Sequence, residues 1–240
     1  MEKKLILITN DDGIESEGLI KLAKAAVRYG DVWVVAPDRQ QSGMSHSIKF
    51  PNPMNVKEVD YGIEGVRAFS CDGTPANCMN LGIHAVLPRI PDLSLSGINA
   101  GYNIGMDIQY SGTIGAAFES IIWGVPCIAF SQGEAGKSEV TDLYLDQILG
   151  KLIAEPVGKN QVWNVNFPSC KAEECGGILY DRVVSQENFY DDKYVEAGVA
   201  EDGTRTFKVA FGRKWKGTPG TDLDAVVRNY VSVGKVTNLC

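Results

Sequence analysis

Four aliphatic residues in succession, Leu5-Ile6-Leu7-Ile8, followed at once by Thr9-Asn10-Asp11-Asp12-Gly13, leave this chain few ways to fold. A strand that is apolar at every position has no solvent side, so both its faces must be covered, as in a parallel sheet flanked by helices. The acids that end it then belong at the carboxyl rim of the sheet, where open α/β sheets bind ligands. Side chains alternate faces along a strand, so Asp11 and Asp12 converge only where the backbone has turned, and Gly13 supplies that turn. Two neighbouring carboxylates with no Lys or Arg nearby repel each other, and a divalent cation between them would keep both ionised. Capping of the following helix by one of them is the simpler alternative.

The segments that follow alternate in the same sense. Ser16 to Arg28 carries a helical apolar stripe that stops at Gly30, and Val32 to Ala36 is a second buried strand closed by Pro37, completing a right-handed βαβ unit. The loop from Asp38 to Ser47 is polar, rich in hydroxyls, and has nothing to pack. Two short runs, Asn55 to Val59 and Gly65 to Phe69, predict a hairpin turning at Gly62. Asp72-Gly73-Thr74-Pro75 predicts a helix start, with Thr74 as N-cap and the helix reaching about Val86, where His84 would be a capping or surface residue.

A short strand, Leu93 to Ser96, then delivers a glycine-rich stretch from Gly97 to Thr113, which predicts a long loop that lets backbone approach a ligand. Helical spacing resumes from Thr113 to Trp123. Its first turn, Ser111-Gly112-Thr113-Ile114, would gather unpaired N–H groups and small hydroxyls suited to a phosphate, with plain capping by Ser111 as the alternative. A strand at Cys127 to Ser131, a helix at Val140 to Ile153 and a strand at Val162 to Pro168 complete a core spanning 1–168. From Ser169 to Cys240 the texture is glycine-rich, acidic and aromatic. Strands are expected near 178–184, 206–211 and 230–236 with a helix over 222–227, an appendage that pairs with a neighbour or covers the site.

Composition narrows the partners. A net charge of −7 argues against duplex nucleic acid or a membrane surface, since such binders gather Lys and Arg on one face. No apolar run nears the roughly 20 residues that span a bilayer, and the opening residues turn acidic too soon for a secretory signal. The six cysteines form no C-x-x-C pair, and only His46 and His84 could serve as imidazole ligands. Free thiols in the cytoplasm are therefore expected, and zinc is not.

Three rim loops do offer oxygen donors: the carboxylates of Asp11 and Asp12, the hydroxyl of Ser42 and the carboxamide of Asn99. Such a set suits Mg²⁺, Mn²⁺ or Ca²⁺. Four ligands on an ion of roughly six positions leave about two for water and substrate, as a hydrolytic metal requires.

Four motifs, in order and at fitting spacings, carry a resemblance: Asn10-Asp11-Asp12-Gly13, Pro37-Asp38-Arg39 with Ser42, Ser96 to Gly105, and Tyr110-Ser111-Gly112-Thr113 with Ala116-Ala117. Together with Asp72-Gly73-Thr74-Pro75 they resemble the SurE (survival protein E) family of metal-dependent nucleotidases, over most of Lys4 to Phe167. The resemblance implies a Rossmann-like three-layer α/β core with a mostly parallel sheet and a β-rich carboxyl-terminal appendage at 169–240. It implies one divalent ion per subunit, hydrolysis of nucleoside 5′- and 3′-monophosphates, sometimes polyphosphate cleavage, and homodimers or homotetramers that exchange carboxyl-terminal segments.

On matching positions, Asp11, Asp12, Ser42 and Asn99 would be metal ligands. Asn10, Asn99, Ser111, Gly112 and Thr113 would meet the phosphate. Asp11 and Asp12 would be catalytic, Asp11 by orienting the attacking water or accepting its proton. A phospho-aspartate phosphatase needs Asp-x-Asp, and the position two before Asp12 is Asn10, whose amide cannot be that nucleophile. A P-loop ending is absent, and Gly97, Gly101 and Gly105 are not spaced as G-x-G-x-x-G. A non-catalytic, metal-dependent nucleotide-binding module is the alternative of another class.

Overall fold

The computed structural model describes residues 3–133 and 139–238. Its first strand, β1 (Lys4–Thr9), takes the centre, with β2 (Gly30–Pro37) parallel on one side and β5 (Leu93–Ala100) parallel on the other. Beyond β2 lie β4 (Val66–Cys71), parallel, and β3 (Val56–Val59), its antiparallel hairpin partner. Beyond β5 lie β6 (Cys127–Gln132) and β7 (Gln161–Phe167), both parallel.

The chain thus runs outward from β1 to β4, returns, and runs outward the other way from β5. That reversal leaves a crevice at the carboxyl ends of β1 and β5.

Helices cover both faces because β1 is apolar on both. Ile6 and Ile8 pack against α1 (Glu17–Ala26) and α4 (Glu139–Ala154) through Leu19, Leu22, Ile148 and Leu149. Leu5 and Leu7 pack against α2 (Pro75–Leu81) and α3 (Gly112–Ile122) through Cys78, Met79, Ile114 and Ala117. Thr74 caps α2 as its sequence predicts, in a reciprocal pair with Asn77.

Three expectations change. β5 does not stop at Ser96 but pairs with β6 as far as Ala100, and Gly105–Tyr110 forms a 3₁₀ turn, so the long loop shrinks to a few residues. β7 is interior rather than last: β11 (Val231–Thr237) pairs antiparallel to it and β8 (Ile178–Arg182) follows, giving a nine-stranded sheet. Among the described residues, only β9 (Lys193–Val199) and β10 (Arg205–Ala210) stand apart, as a two-stranded antiparallel hairpin exposed along both strands. The short helix α5 (Asp222–Val227) starts from its cap Thr221, and Asp222 fastens the Gly105 and Ser185 amides at 3.0 and 2.8 Å. Among the described residues, no helix is long and apolar enough to cross a membrane.

Candidate functional site

The turn after β1 is built by Asn10. Its Nδ2 donates to the Gly13 carbonyl at 3.1 Å and to Ser16 Oγ at 2.7 Å, while its Oδ1 accepts from the Gly13 amide at 3.3 Å. Both amide protons are committed inside the turn, so Asn10 is a buried clip for the acidic pair, and the phosphate contact expected of it would draw on protons already used there. Gly13, at φ 99°, takes a conformation that side chains resist.

Asp11 is buried against the start of α3. The Thr113 hydroxyl donates to its Oδ1 at 2.6 Å, and the Thr113 amide also supports the carboxylate. Burial pushes the Asp11 carboxyl up to about 6, the Thr113 hydroxyl pulling the other way and the neighbouring Asp12 charge adding to the rise. Burial likewise raises Asp12, offset by the Ala100 amide, which donates to Oδ2 at 2.8 Å, and by Gln40. That Ala100 bond spans the crevice between β1 and β5.

Gln40 joins the second loop to the acids: its Nε2 donates to Ser42 Oγ at 3.0 Å, and its side chain also bonds Asp12. The Gln41 amide donates to the Asp11 carbonyl at 2.7 Å. Asn99 Nδ2 donates to the Gly101 carbonyl at 2.8 Å, leaving Oδ1 as an acceptor and the second Nδ2 proton as a donor for a ligand.

Asp11, Ser42, Asn99 and Ser111 share the wall of one cleft of about 880 Å³, with Asp12 meeting it at Ala100. Gly112 and Thr113 are not on that wall. Asp11 takes the helix end that was expected to hold phosphate, since Thr113 gives it both hydroxyl and amide. Ser111 does line the cleft, and its Oγ caps α3 by accepting the Ile114 amide at 3.0 Å. Among the described residues lining the cleft, none is Lys, Arg or His.

The opposite wall was not anticipated. Met106, Tyr110, Asn188, Tyr190 and Tyr194 form it, with Tyr110 68% and Tyr194 78% exposed. Buried Asp107 pins this wall by accepting the Phe189 and Tyr190 amides at 2.6 and 3.0 Å, and Tyr190 Oη accepts the Tyr102 amide at 3.0 Å. Partners some 80 residues apart leave no local signal. Nor does the 38–47 loop lie unpacked, as its polarity suggests: the Ser45 amide bonds the Tyr110 carbonyl at 3.1 Å, and the loop rests on α3.

Fold and cleft together define a doubly wound α/β protein with an acidic, oxygen-rich cleft at its topological switch point. The family model "Survival protein SurE" matches residues 6–189, and the chain belongs to the SurE family. It is 38% identical to a 5′-nucleotidase SurE of Mesorhizobium japonicum, covering 95% of this chain and 91% of that one. It is 36% identical to a 5′-nucleotidase SurE of Geobacter sulfurreducens over 95% and 86%. Its structure is similar to the crystal structure of the SurE protein from Aquifex aeolicus, with TM-score 0.81 and 36% identity over 98% and 94% of the two chains.

Proposed function

We propose that this chain is a divalent-metal-dependent 5′-nucleotidase, a phosphomonoesterase that cleaves nucleoside 5′- and 3′-monophosphates to nucleoside and phosphate, with polyphosphate as a further substrate. One observation carries the reading: the buried carboxylate of Asp11, with the half-buried Asp12 beside it, opens onto a cleft whose described lining residues include no Lys, Arg or His to meet an anion. A phosphate enters such a cleft only with a cation to offset the repulsion. Asp11, Asp12, Ser42 and Asn99 Oδ1 form the donor set, and their hard oxygens fit Mg²⁺ or Mn²⁺, with Ca²⁺ a third candidate, one ion per subunit.

Bound there, the cation would offset phosphate charge and make a water molecule more acidic. The chain's own part is positional. The Thr113 hydroxyl and the α3 amide end hold the Asp11 carboxylate in one orientation, from which its second oxygen can align the attacking water. Ser111 accepts from Ile114, which leaves its own proton to donate to a phosphate oxygen. The aromatic wall of Tyr110, Tyr190 and Tyr194 suits the flat face of a nucleobase.

Phosphate release from AMP, with and without Mg²⁺ or Mn²⁺, tests the function. Metal-dependent turnover is expected, whereas nucleotide binding without turnover would leave a non-catalytic binding module. Ser111→Ala tests the phosphate contact. Its loss is expected to raise KM for AMP about 10- to 100-fold, the equivalent of ~1.5–3 kcal/mol for a hydrogen bond to a charged group. It should also lower stability by ~1 kcal/mol through the lost cap. Wild-type KM and kcat in that variant would reduce Ser111 to a cap.

The hairpin of β9 and β10 supports a homodimer or homotetramer. An isolated two-stranded ribbon is marginal in water, yet this one exposes Tyr194, Val195, Val199, Phe207 and Val209. A second copy of the chain would cover it, and sedimentation velocity would report the subunit number. The five described cysteines are all thiols, which fits a reducing cytoplasm.

A further inference from the structure

Glu119 lies on α3, eight residues beyond Ser111, and is only 4% exposed. A buried carboxylate is costly unless hydrogen bonds replace its water, and this one accepts from three directions. His46 Nε2 lies 2.8 Å from its Oε2, while Asn80 Nδ2 and Trp123 Nε1 donate to Oε1 at 2.6 and 2.9 Å. Asn80 belongs to α2, so its bond joins helix to helix, whereas Trp123 ends α3 itself and its bond stays within that helix. The third reaches out to the loop that carries Ser42.

That loop has anchors on either side of Ser42. Before it, the Gln41 amide holds the Asp11 carbonyl. After it, the Ser45 amide holds the Tyr110 carbonyl, His46 holds Glu119, and the Ser47 carbonyl accepts the Thr74 hydroxyl at 2.6 Å. Gly115 leaves the face of α3 bare, so the backbone of Ser45 and His46 lies directly on the helix. Of these anchors the ring-to-carboxylate contact alone is charge-assisted through a buried acid. Such bonds are shorter and stronger than neutral ones.

We propose that Glu119 is a positioning residue: through His46 it seats the 41–47 loop on α3 and so fixes Ser42 relative to Asp11 and Asp12. Its consequence for cation binding rests on the donor set assigned above. Glu119 does not line the cleft, so it acts on the order of the loop and on ligand placement. Residues that orient ligands in this indirect way typically change metal affinity 10- to 100-fold when altered.

Three variants of the full-length protein separate this from a general packing role. Glu119→Gln takes the charge out of the link and His46→Ala takes away its ring, weakening it from opposite ends. Trp123→Phe removes a bond to the same carboxylate without touching the loop. Amide hydrogen exchange over 41–47 reads the tether directly, and calorimetric titration with Mn²⁺ alone reads the donor set. In Glu119→Gln and His46→Ala, exchange should quicken and Mn²⁺ affinity fall, each by about tenfold or more. Trp123→Phe should leave both within about twofold.

Wild-type exchange in Glu119→Gln and His46→Ala would overturn the proposal. Equal loosening in Trp123→Phe would do the same, by making Glu119 a mere packing residue. If the wild-type protein bound no Mn²⁺, the metal assignment would fall instead, while the exchange data would still decide the tether.

Discussion

Asp12→Asn is expected to remove nearly all nucleotidase activity, about 10³-fold or more in kcat/KM, while leaving the fold as stable as wild type or slightly more so. The two effects have opposite signs for one reason. Burial disfavours the ionised carboxylate, as the upward shift of Asp12 records. An amide of the same shape sheds that penalty and still accepts the Ala100 amide through Oδ1. What it cannot do is share charge with a cation, and a bound metal contributes several kcal/mol of transition-state stabilisation, enough for about three decades of rate. Thermal melts without added metal, beside AMP hydrolysis over a series of Mn²⁺ concentrations, check both halves. Wild-type turnover would take Asp12 out of the site, and a collapse in melting temperature would make it structural.

The acids were legible because their cause is local. An apolar run that ends in Asp11-Asp12-Gly13 reads as a buried strand arriving at a rim, and β1 is that strand. The same logic recovered β2, β6 and α1, whose apolar spacing is continuous. β9 escaped because its residues are exposed on both faces, so no core imposes a period on Lys193 to Val199. β5 read too short because Gly97 and Asn99 look like loop residues. Yet Gly97 sits where an added methyl would lie 2.2 Å from the Phe130 carbonyl oxygen, so close strand pairing demands glycine there.

Side-chain hydrogen bonds that residue spacing does not reveal explain the rest. Thr113 looked like a phosphate ligand until its hydroxyl was found on Asp11, 102 residues earlier. Asn10 resembled a substrate contact, but its protons close the turn. Glu119 lies on a helix whose apolar stripe is Ile114, Ala117 and Ile121, so its spacing gave no hint of three partners. Sequence pattern reports which residues reach the rim. It does not report which of their hydrogen-bonding atoms are already taken.

α3 is the surface on which both site loops rest, and the largest effect expected of a single methyl group follows from that. At Gly115 an added Cβ would stand 2.3 Å from the Ser45 carbonyl oxygen and 2.8 Å from His46 Cα, both backbone-bound. At Gly112, three residues earlier on the same face, it would stand 2.9 Å from Asp11 Cβ. Ordinary contact needs about 3.5 Å, so in Gly115→Ala the Ser42 loop must withdraw by roughly 1 Å. Overpacking of this kind costs ~1–3 kcal/mol, offset by the ~1 kcal/mol that alanine gains over glycine within a helix. Misplacement of a positioned group by about 1 Å can cost 10²-fold in rate. Gly115→Ala should therefore lose about a hundredfold in kcat/KM for a stability loss of only ~1–2 kcal/mol, with Gly112→Ala milder on both counts. Gly150→Ala in α4 is the control, because its Cβ would meet only the hydroxyl end of Tyr29, which can swing aside. That variant should be at least as stable as wild type and fully active. Full activity in Gly115→Ala, measured beside its melting curve, would show that the loop finds its seat without the bare helix face.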